Sequence, residues 1–186
     1  MLVKQRTNLS NYLHACQHQG KPNQDTIDRT KELINIINEN IKAIEKDVTQ
    51  KAKEDKKLNN KLQYLLSIPG VGLITAITII AETNGFATIT NIKQLTSYTG
   101  LNVQIRESGK WKGKSRISKK GNSHIRKALF MPALSKMQWD KSTALFYQRL
   151  KDKKGKGMIA TVAVQRKLLG LMYTLWKKEE MFNTSA

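Results

Sequence analysis

The stretch Leu65-Leu66-Ser67-Ile68-Pro69-Gly70-Val71-Gly72-Leu73-Ile74-Thr75-Ala76 decides the fold of this chain. A proline and two glycines interrupt a run of apolar residues, a pattern that ends one helix and begins the next within a few residues. The second helix is expected to continue to Glu82 or Thr83. The stretch therefore predicts a helix, a tight glycine turn and a second helix.

A long amphipathic pattern precedes this turn. From about Asp25, apolar side chains recur at alternating spacings of three and four residues, which is the heptad pattern of a coiled coil. This seam comprises Ile34, Ile37, Ile41, Ile44 and Val48, and its register continues through Lys51 and Asp55 to Leu58, Leu62 and Leu65. We predict a coiled-coil arm, dimeric or folded back on itself. The alternative is one amphipathic helix packed on its own domain.

The sequence after the turn predicts helices interrupted by one small β-hairpin. A short helix from about Ile92 to Tyr98 is expected to stop at Gly100, and the hairpin covers about 101–117. Further helices follow around 125–137, with a kink at Pro132, around 145–150 and over about 158–178.

The predicted fold class is mainly α. A polar segment without a strong fold covers 1–24, and the coiled-coil arm covers 25–64. A helical domain with a helix-hairpin-helix unit and the small β-hairpin covers 65–180, and 181–186 form a tail.

Composition narrows the class of partner. The 186 residues include 33 Lys and Arg against 14 Asp and Glu, a formal net charge of +19, and such an excess favours an anionic partner. The single cysteine, Cys16, excludes an internal disulfide and is typical of a reducing compartment. With neither a membrane span nor a signal peptide in the sequence, we expect a soluble cytoplasmic protein.

The turn is the first candidate site. Pro69, Gly70, Val71 and Gly72 let the backbone approach an anion closely, and the helix that follows presents free N–H groups and the positive end of its dipole. Such a turn can grip a DNA phosphate without reading bases. The alternative is a helix–helix connection that needs glycine only for its backbone angles.

The second candidate is a basic tract in and after the hairpin, in which Glu107 is the single acid. It contains Arg106, Lys110, Lys112, Lys114, Arg116, Lys119, Lys120, Arg126 and Lys127. This density of cations favours a polyanion. Trp111, inside the tract, either stacks on a base or packs within the hairpin. Asn122 or Ser123 is expected to cap the next helix, which either leaves N–H groups for a phosphate or is an ordinary capped helix.

Ser108 is the candidate nucleophile, because it lies at the bend of the tract, where nearby cations could hold a phosphodiester while the hydroxyl attacks. The competing hydroxyls are those of Ser67, Ser97, Ser115, Ser118 and Ser123. No metal site is predicted, since His14, Cys16 and His18 lack a fourth ligand and favour polar surface.

Together these motifs resemble a family. They run from Leu65–Ala76 through Gln94-Leu95-x-x-Tyr98-x-Gly100-Leu101 and Glu107-Ser108-Gly109-Lys110 to Ile117-Ser118-Lys119-x-Gly121-Asn122-x-x-Ile125-Arg126-x-x-Leu129 and Val162-Ala163-Val164-x-Arg166-Lys167-Leu168-Leu169. The order and spacing resemble the C-terminal domain of insertion-sequence transposases of the DEDD type. These are relatives of pilin-gene inverting recombinases and of RNA-guided bridge recombinases.

The resemblance implies a DNA transposase or site-specific recombinase in which Ser108 attacks a DNA phosphodiester, with Arg106, Lys110 and Arg126 offsetting phosphate charge. It implies DNA as partner, a guide RNA as a further one, and a homo-oligomer, dimer or tetramer, formed through the arm. The family's magnesium ions belong to an acidic RNase H-like domain, so no cofactor is expected in this chain. A bacterial or archaeal source and association with the nucleoid are also implied.

One departure from the family pattern concerns the front of the chain. About 25 residues precede the arm, too few for an RNase H-like domain, so we expect a truncated or split transposase. The alternatives are a non-catalytic nucleic-acid-binding fragment that uses the helix-hairpin-helix and the basic tract, and a remnant reading frame that keeps only the fold.

Overall fold

A computed structural model describes residues 1–104, 107–108, 110–113 and 116–183. The fold is mainly helical with a small antiparallel hairpin, which confirms the predicted fold class. The chain divides into two compact units, Met1–Lys56 and Lys57–Ala186. Within the described ranges, no helix is long and apolar enough to cross a membrane.

The first unit consists of helix α1 (Leu2–Gln17) and helix α2 (Gln24–Glu54), which pack against each other. Helix α2 begins where the sequence predicted, because the Asn23 side chain accepts a hydrogen bond from Thr26 N at 3.1 Å. Helix α1 corrects the expectation of a segment without a strong fold. Its less exposed side chains recur at spacings of four and three: Leu2, Arg6, Leu9, Leu13 and Cys16. Arginine in that series hides the heptad pattern.

The predicted arm over 25–64 is wrong as one continuous helix. Helix α2 ends at Glu54, Asp55 takes an extended conformation (φ −82°, ψ 96°), and helix α3 (Lys56–Leu66) starts afresh. The physical reason lies in the two polar seam positions, Lys51 and Asp55, which supply no apolar side chain to carry the packing across the break. In the first unit the partner of α2 is α1, as in an arm folded back on itself.

The second unit contains the remaining elements. The helices are α4 (Leu73–Glu82), α5 (Ile92–Tyr98), α6 (Ser123–Ala128), α7 (Phe130–Trp139), α8 (Lys141–Lys154) and α9 (Gly157–Lys178). The predicted kink is an interruption at Leu129 between α6 and α7. Pro132 then falls in the first turn of α7, where its missing N–H costs no helical hydrogen bond.

The hairpin is made of two nested antiparallel pairs. Strand β1 (Val103–Gln104) pairs with β4 (Arg116–Ile117), and β2 (Glu107–Ser108) pairs with β3 (Trp111–Lys112). This arrangement confirms the hairpin predicted over 101–117.

Helix α9 is central to the core of the second unit, where it packs on α5, α7 and α8. Leu168, Leu169 and Met172 are each at most 1% exposed. Phe86 is fully buried although its backbone is left-handed (φ 58°). Its ring meets the edges of Tyr173 and Trp176 at centroid distances of 5.5 and 5.9 Å, and these aromatic contacts hold the 83–91 connection onto α9.

Candidate nucleic-acid interface

The two glycines of the 67–72 turn have different surroundings. Gly70 has φ +87°, and a Cβ there would lie 3.0 Å from both Cβ and Oγ of Ser135 on α7. Packing and backbone conformation therefore explain Gly70 without a ligand. Gly72 has φ −86°, is exposed, and a Cβ there would meet nothing within 4 Å. No packing contact within the chain therefore explains why residue 72 is a glycine.

Helix α4 starts at this open glycine. Gly72 is its N-cap residue and supplies no side-chain acceptor to the first turn. Val71 is buried and its N–H bonds to Ile68 O at 3.1 Å, which fixes the turn in front of the helix. The start of α4 thus combines uncapped N–H groups, the positive end of the helix dipole and an open glycine, the combination that suits an anion.

The C-terminal segment around Phe182 packs against the 67–72 turn, a contact that was not predicted from the sequence. Phe182 N donates to Ser67 Oγ at 2.8 Å, and Ser67 Oγ donates to Tyr64 O at 2.7 Å. The Phe182 ring lies 4.7 Å from Lys136 Nζ, and Lys61 Nζ lies 2.7 Å from Glu179 Oε1. A segment expected to be a tail therefore packs on the base of the turn.

Lys136 and Asp140 form a nearly buried ion pair beside this segment. Lys136 Nζ lies 2.9 Å from Asp140 Oδ2, and the exposed fractions of the two side chains are 8% and 24%. Burial alone would raise the pKa of Asp140. The ammonium of Lys136 and hydrogen bonds from Thr143 and Ser142 outweigh burial and hold that pKa well below its usual range. Asp140 also caps α8, so one carboxylate joins α7 to α8.

The hairpin carries Ser108 at its outer pair. Ser108 is exposed and lies opposite Trp111 in the β2–β3 register, with exposed Lys110 in the turn between them. Arg106 and Lys114 lie outside the described residues, and for Lys112 only the backbone is described. The predicted nucleophile is therefore exposed near the end of a narrow two-stranded hairpin. This hairpin, over 101–117, is called the arm from here on and is distinct from the predicted coiled-coil arm over 25–64.

The base of this arm is a tightly packed backbone junction. A Cβ on Gly121 would overlap the carbonyl oxygen of Tyr98 and lie 2.7 Å from Gly100 N. Asn122 N donates to Tyr98 O at 2.9 Å, and Lys119 N donates to Gly100 O at 3.1 Å. The two ends of the arm are thus fixed to each other by backbone contacts.

Side chains complete the junction. Arg126 Nη1 donates to Thr99 O at 2.8 Å and to Gly121 O at 3.0 Å. The Asn122 carbonyl oxygen caps α6, and its Nδ2 donates to Glu82 Oε2 at 2.5 Å. Two of the predicted DNA-binding residues, Asn122 and Arg126, are therefore engaged inside the chain.

Sequence reasoning missed Glu82, although the sequence holds a signal. An acidic side chain in the last turn of a helix faces the negative end of the helix dipole and is unfavourable there without a partner. Glu82 ends α4 in this position and finds its partner in Asn122.

Other cations of the basic tract are exposed to solvent. Lys110, Arg116, Lys119 and Lys120 are exposed, and no ion pair is found for any of them among the described residues. Their charge is therefore free to meet an external anion.

Of the serines that compete with Ser108 as nucleophile, two have hydrogen-bonded hydroxyls and the others lie on helices or outside the described residues. Ser67 holds Phe182, and Ser118 Oγ donates to Asn102 Oδ1 at 2.5 Å. Ser97 is exposed on α5 and Ser123 begins α6, while Ser115 lies outside the described residues.

The described part of the chain contains no group of three or more His, Cys, Asp or Glu side chains that could hold a metal ion. Cys16 is buried, while the rings of exposed His14 on α1 and exposed His18, the residue after α1, lie 4.4 Å apart. The described residues therefore do not fit the magnesium ions that the family resemblance associates with transposition.

Comparisons with known proteins converge on one family. Residues 62–148 match the model of the transposase IS116/IS110/IS902 family. The pilin gene-inverting protein of Moraxella bovis is 29% identical over 129 residues, which are 68% of this chain and 40% of the relative. The transposase for insertion sequence element IS1111A of Coxiella burnetii is 27% identical over 144 residues, 75% of this chain and 39% of the relative. The chain thus spans about two fifths of the length of these relatives.

Proposed function

Because residues 62–148 match the insertion-sequence transposase family model and two named relatives are 29% and 27% identical to the chain, we propose that the chain belongs to this family and acts in DNA transposition or site-specific recombination, binding DNA and supplying a serine nucleophile. The observation that carries the proposal is the exposed Ser108 at the outer end of the hairpin, inside the matched residues 62–148. One relative is named for inverting a pilin gene and another for transposing an insertion element, and both activities break and rejoin DNA strands.

The proposed reaction is a transesterification. The Ser108 oxygen attacks a DNA phosphorus atom, a serine–phosphate ester bond forms, and the bond from phosphorus to one sugar oxygen breaks. The serine hydroxyl loses its proton, and the departing sugar oxygen ends as a free hydroxyl. Attack by another strand's hydroxyl on the phosphoserine rejoins DNA and releases Ser108, so no phosphodiester is lost to water.

The positive charges of the arm have a defined task in this reaction. Lys110 lies two residues after Ser108, and Arg116, Lys119 and Lys120 follow along the returning strand and the junction. Cations beside the reacting phosphate offset the charge that builds up as the serine oxygen attacks. Because magnesium does not fit the described residues, no step is assigned to it.

The turn and the arm together form the proposed DNA-binding surface. The uncapped N–H groups at the start of α4, beside the open Gly72, would bind one backbone phosphate. The exposed cations of the arm would neutralise other phosphates. Such contacts fix the register of the duplex without reading its sequence. DNA binding would place the protein at the nucleoid, and a guide RNA is a second polyanion that the same charges can bind.

Self-association through the first unit is the proposed oligomer contact. Leu33, Ile36 and Ile44 on α2 are 48–52% exposed although α1 covers the neighbouring face. Exposed apolar side chains at helical spacing are typical of a coiled-coil partner surface. We propose that a second copy covers them in a dimer or tetramer.

A non-catalytic nucleic-acid-binding role is the second candidate. The observation that favours it is that the Ser108 side chain has no hydrogen-bond partner among the described residues, so no general base is seen to activate it. In that case the turn and the arm would hold DNA, and Ser108 would be a turn residue.

A covalent-capture assay distinguishes the two. Nicked duplex DNA is incubated with the chain, with and without a separately expressed resolvase-like domain and magnesium, and protein–DNA bands are scored under denaturing conditions. A band lost in Ser108→Ala but kept in Ser123→Ala supports the nucleophile. Salt-sensitive DNA binding without a band in any mixture supports the non-catalytic role, and a band that survives Ser108→Ala excludes Ser108.

A further inference from the structure

A cleft lies between α5 and α9, and Asn102 at the start of the arm forms part of its lining. The two helices run antiparallel, since Gly170 faces Ile92 while Tyr173 Oη, further along α9, donates to Ile89 O at 3.2 Å. A Cβ on Gly170 would lie 3.5 Å from Ile92 Cγ2, so this glycine lets the helices approach closely. One turn earlier on α9, Arg166 lines the same cavity as Thr96.

This approach leaves a cavity of about 220 Å³. Its lining consists of Ile92, Lys93, Thr96, Ser97, Asn102 and Arg166. The volume is several times the ~30 Å³ that one water occupies in the liquid, and it has room for a phosphate group. Five of the six lining residues carry a polar or charged group, and Ile92 is the sixth.

The charge in the cleft is uncompensated. Lys93 and Arg166 carry positive charge from two different helices, and neither forms an ion pair within the described ranges. No carboxylate is part of the lining. Two cations that line the same cavity without an ion-pair partner produce a positive potential that favours an anion.

Neutral side chains in the cleft offer further hydrogen-bond donors to an anion. Asn102 accepts from Ser118 Oγ with its side-chain oxygen, which leaves its Nδ2 as a donor. Thr96 Oγ1 already donates to Ile92 O at 2.7 Å, whereas exposed Ser97 has no hydrogen-bond partner for its hydroxyl among the described residues. Donors from α5 and from the start of the arm thus face the same space as the two cations.

We propose that this cleft binds a phosphodiester group of a nucleic-acid backbone, with Arg166 and Lys93 as its charged ligands. Arg166 supplies a planar donor pair that suits two phosphate oxygens, and Lys93 supplies a point charge. The inference rests on the proposed function and adds to it a contact point between α5 and α9, next to the start of the arm. It also assigns a task to Arg166, which belongs to the last of the sequence motifs.

Quantitative binding tests the cleft. Fluorescence anisotropy of the full chain is followed with labelled duplex DNA and with single-stranded RNA, each over a range of salt concentrations. The variants are Arg166→Gln, Lys93→Gln and the matched control Lys46→Gln, which removes one charge from the exposed side of α2 in the first unit. Arg166 and Lys93 are exposed, so thermal unfolding is expected to match wild type for both.

We expect Arg166→Gln and Lys93→Gln each to weaken binding several-fold beyond the control and to lower the salt slope by about one. A loss confined to DNA or to RNA shows which backbone supplies the phosphate. If wild type binds and both variants behave like Lys46→Gln, the cleft is not a phosphate site although the proposed function stands. If wild type binds neither nucleic acid, both proposals are wrong.

Discussion

Two of the glycine-containing connections in the second unit differ in what their glycines face. In the 67–72 turn, Gly70 packs against Ser135 while Gly72 faces open space. At the base of the arm, Gly121 and Gly100 lie backbone against backbone, closed further by Arg126. The first connection has room for a ligand, whereas the second is filled by the chain itself. Glycine in a motif therefore indicates a binding site only where internal packing leaves it unexplained.

The largest expected effect comes from filling the closed junction. Gly121→Ala would place a methyl group against the Tyr98 carbonyl and Gly100 N, both backbone atoms that cannot rotate away. We expect a loss of about 3 kcal/mol in the free energy of unfolding, the upper range for overpacking. Urea denaturation measures this loss, with Gly72→Ala as the matched control. A loss below about 1 kcal/mol would show that the junction is not rigid.

A smaller loss of stability is expected at acidic pH. Acid acts on the Lys136–Asp140 ion pair beside the turn and not on the junction at Gly121. The pKa of Asp140 is lowered in the folded state, so its stabilising contribution is complete above about pH 5 and is lost as pH falls through 4 and below. Asp140→Asn should remove on the order of 1.5 kcal/mol at neutral pH, the size of a hydrogen bond to a charged group.

The check is a pair of stability curves between pH 3 and pH 7. Wild type should converge toward Asp140→Asn as pH falls, because the unfolded chain takes up a proton on Asp140 that the folded state, with its lowered pKa, resists. Parallel curves would mean that the ion pair contributes nothing to folding.

The smallest expected change in stability comes from the open turn. Gly72→Ala meets no atom within 4 Å, so the free energy of unfolding should change by less than about 0.5 kcal/mol. DNA binding should nevertheless weaken several-fold, because the added methyl group stands where a phosphate would approach. Anisotropy titrations of Gly72→Ala against Gly20→Ala, a second open glycine, test this. Equal binding by the two variants would remove the turn from the interface.

Sequence predicted most of the helices because their ends carry local signals. Asn23 and Asn91 cap α2 and α5, and Gly100 and Gly155 end α5 and α8 with left-handed backbones. Helix α1 escaped prediction because Arg6 interrupts its apolar pattern, and its packing depends on α2, which no local signal reveals.

The site was predictable where it depends on composition and unpredictable where it depends on packing. Ser108 and the exposed lysines are candidates that the local density of cations indicates, and they stay predictions. By contrast, the internal engagement of Arg126 depends on carbonyls 27 and 5 residues away, and the α5–α9 cleft depends on Gly170 facing Ile92. Such pairings between distant residues leave no periodicity in the sequence.

The central claim is that Ser108 forms a covalent bond to DNA, and peptide mapping of the trapped complex tests it most directly. The complex from nicked duplex, this chain, a resolvase-like domain and magnesium is digested with nuclease and protease and analysed by tandem mass spectrometry. The account predicts a nucleotide phosphate attached to the Ser108 oxygen. Attachment to another residue, or an unmodified Ser108 peptide from a mixture that has cleaved its DNA, would contradict it.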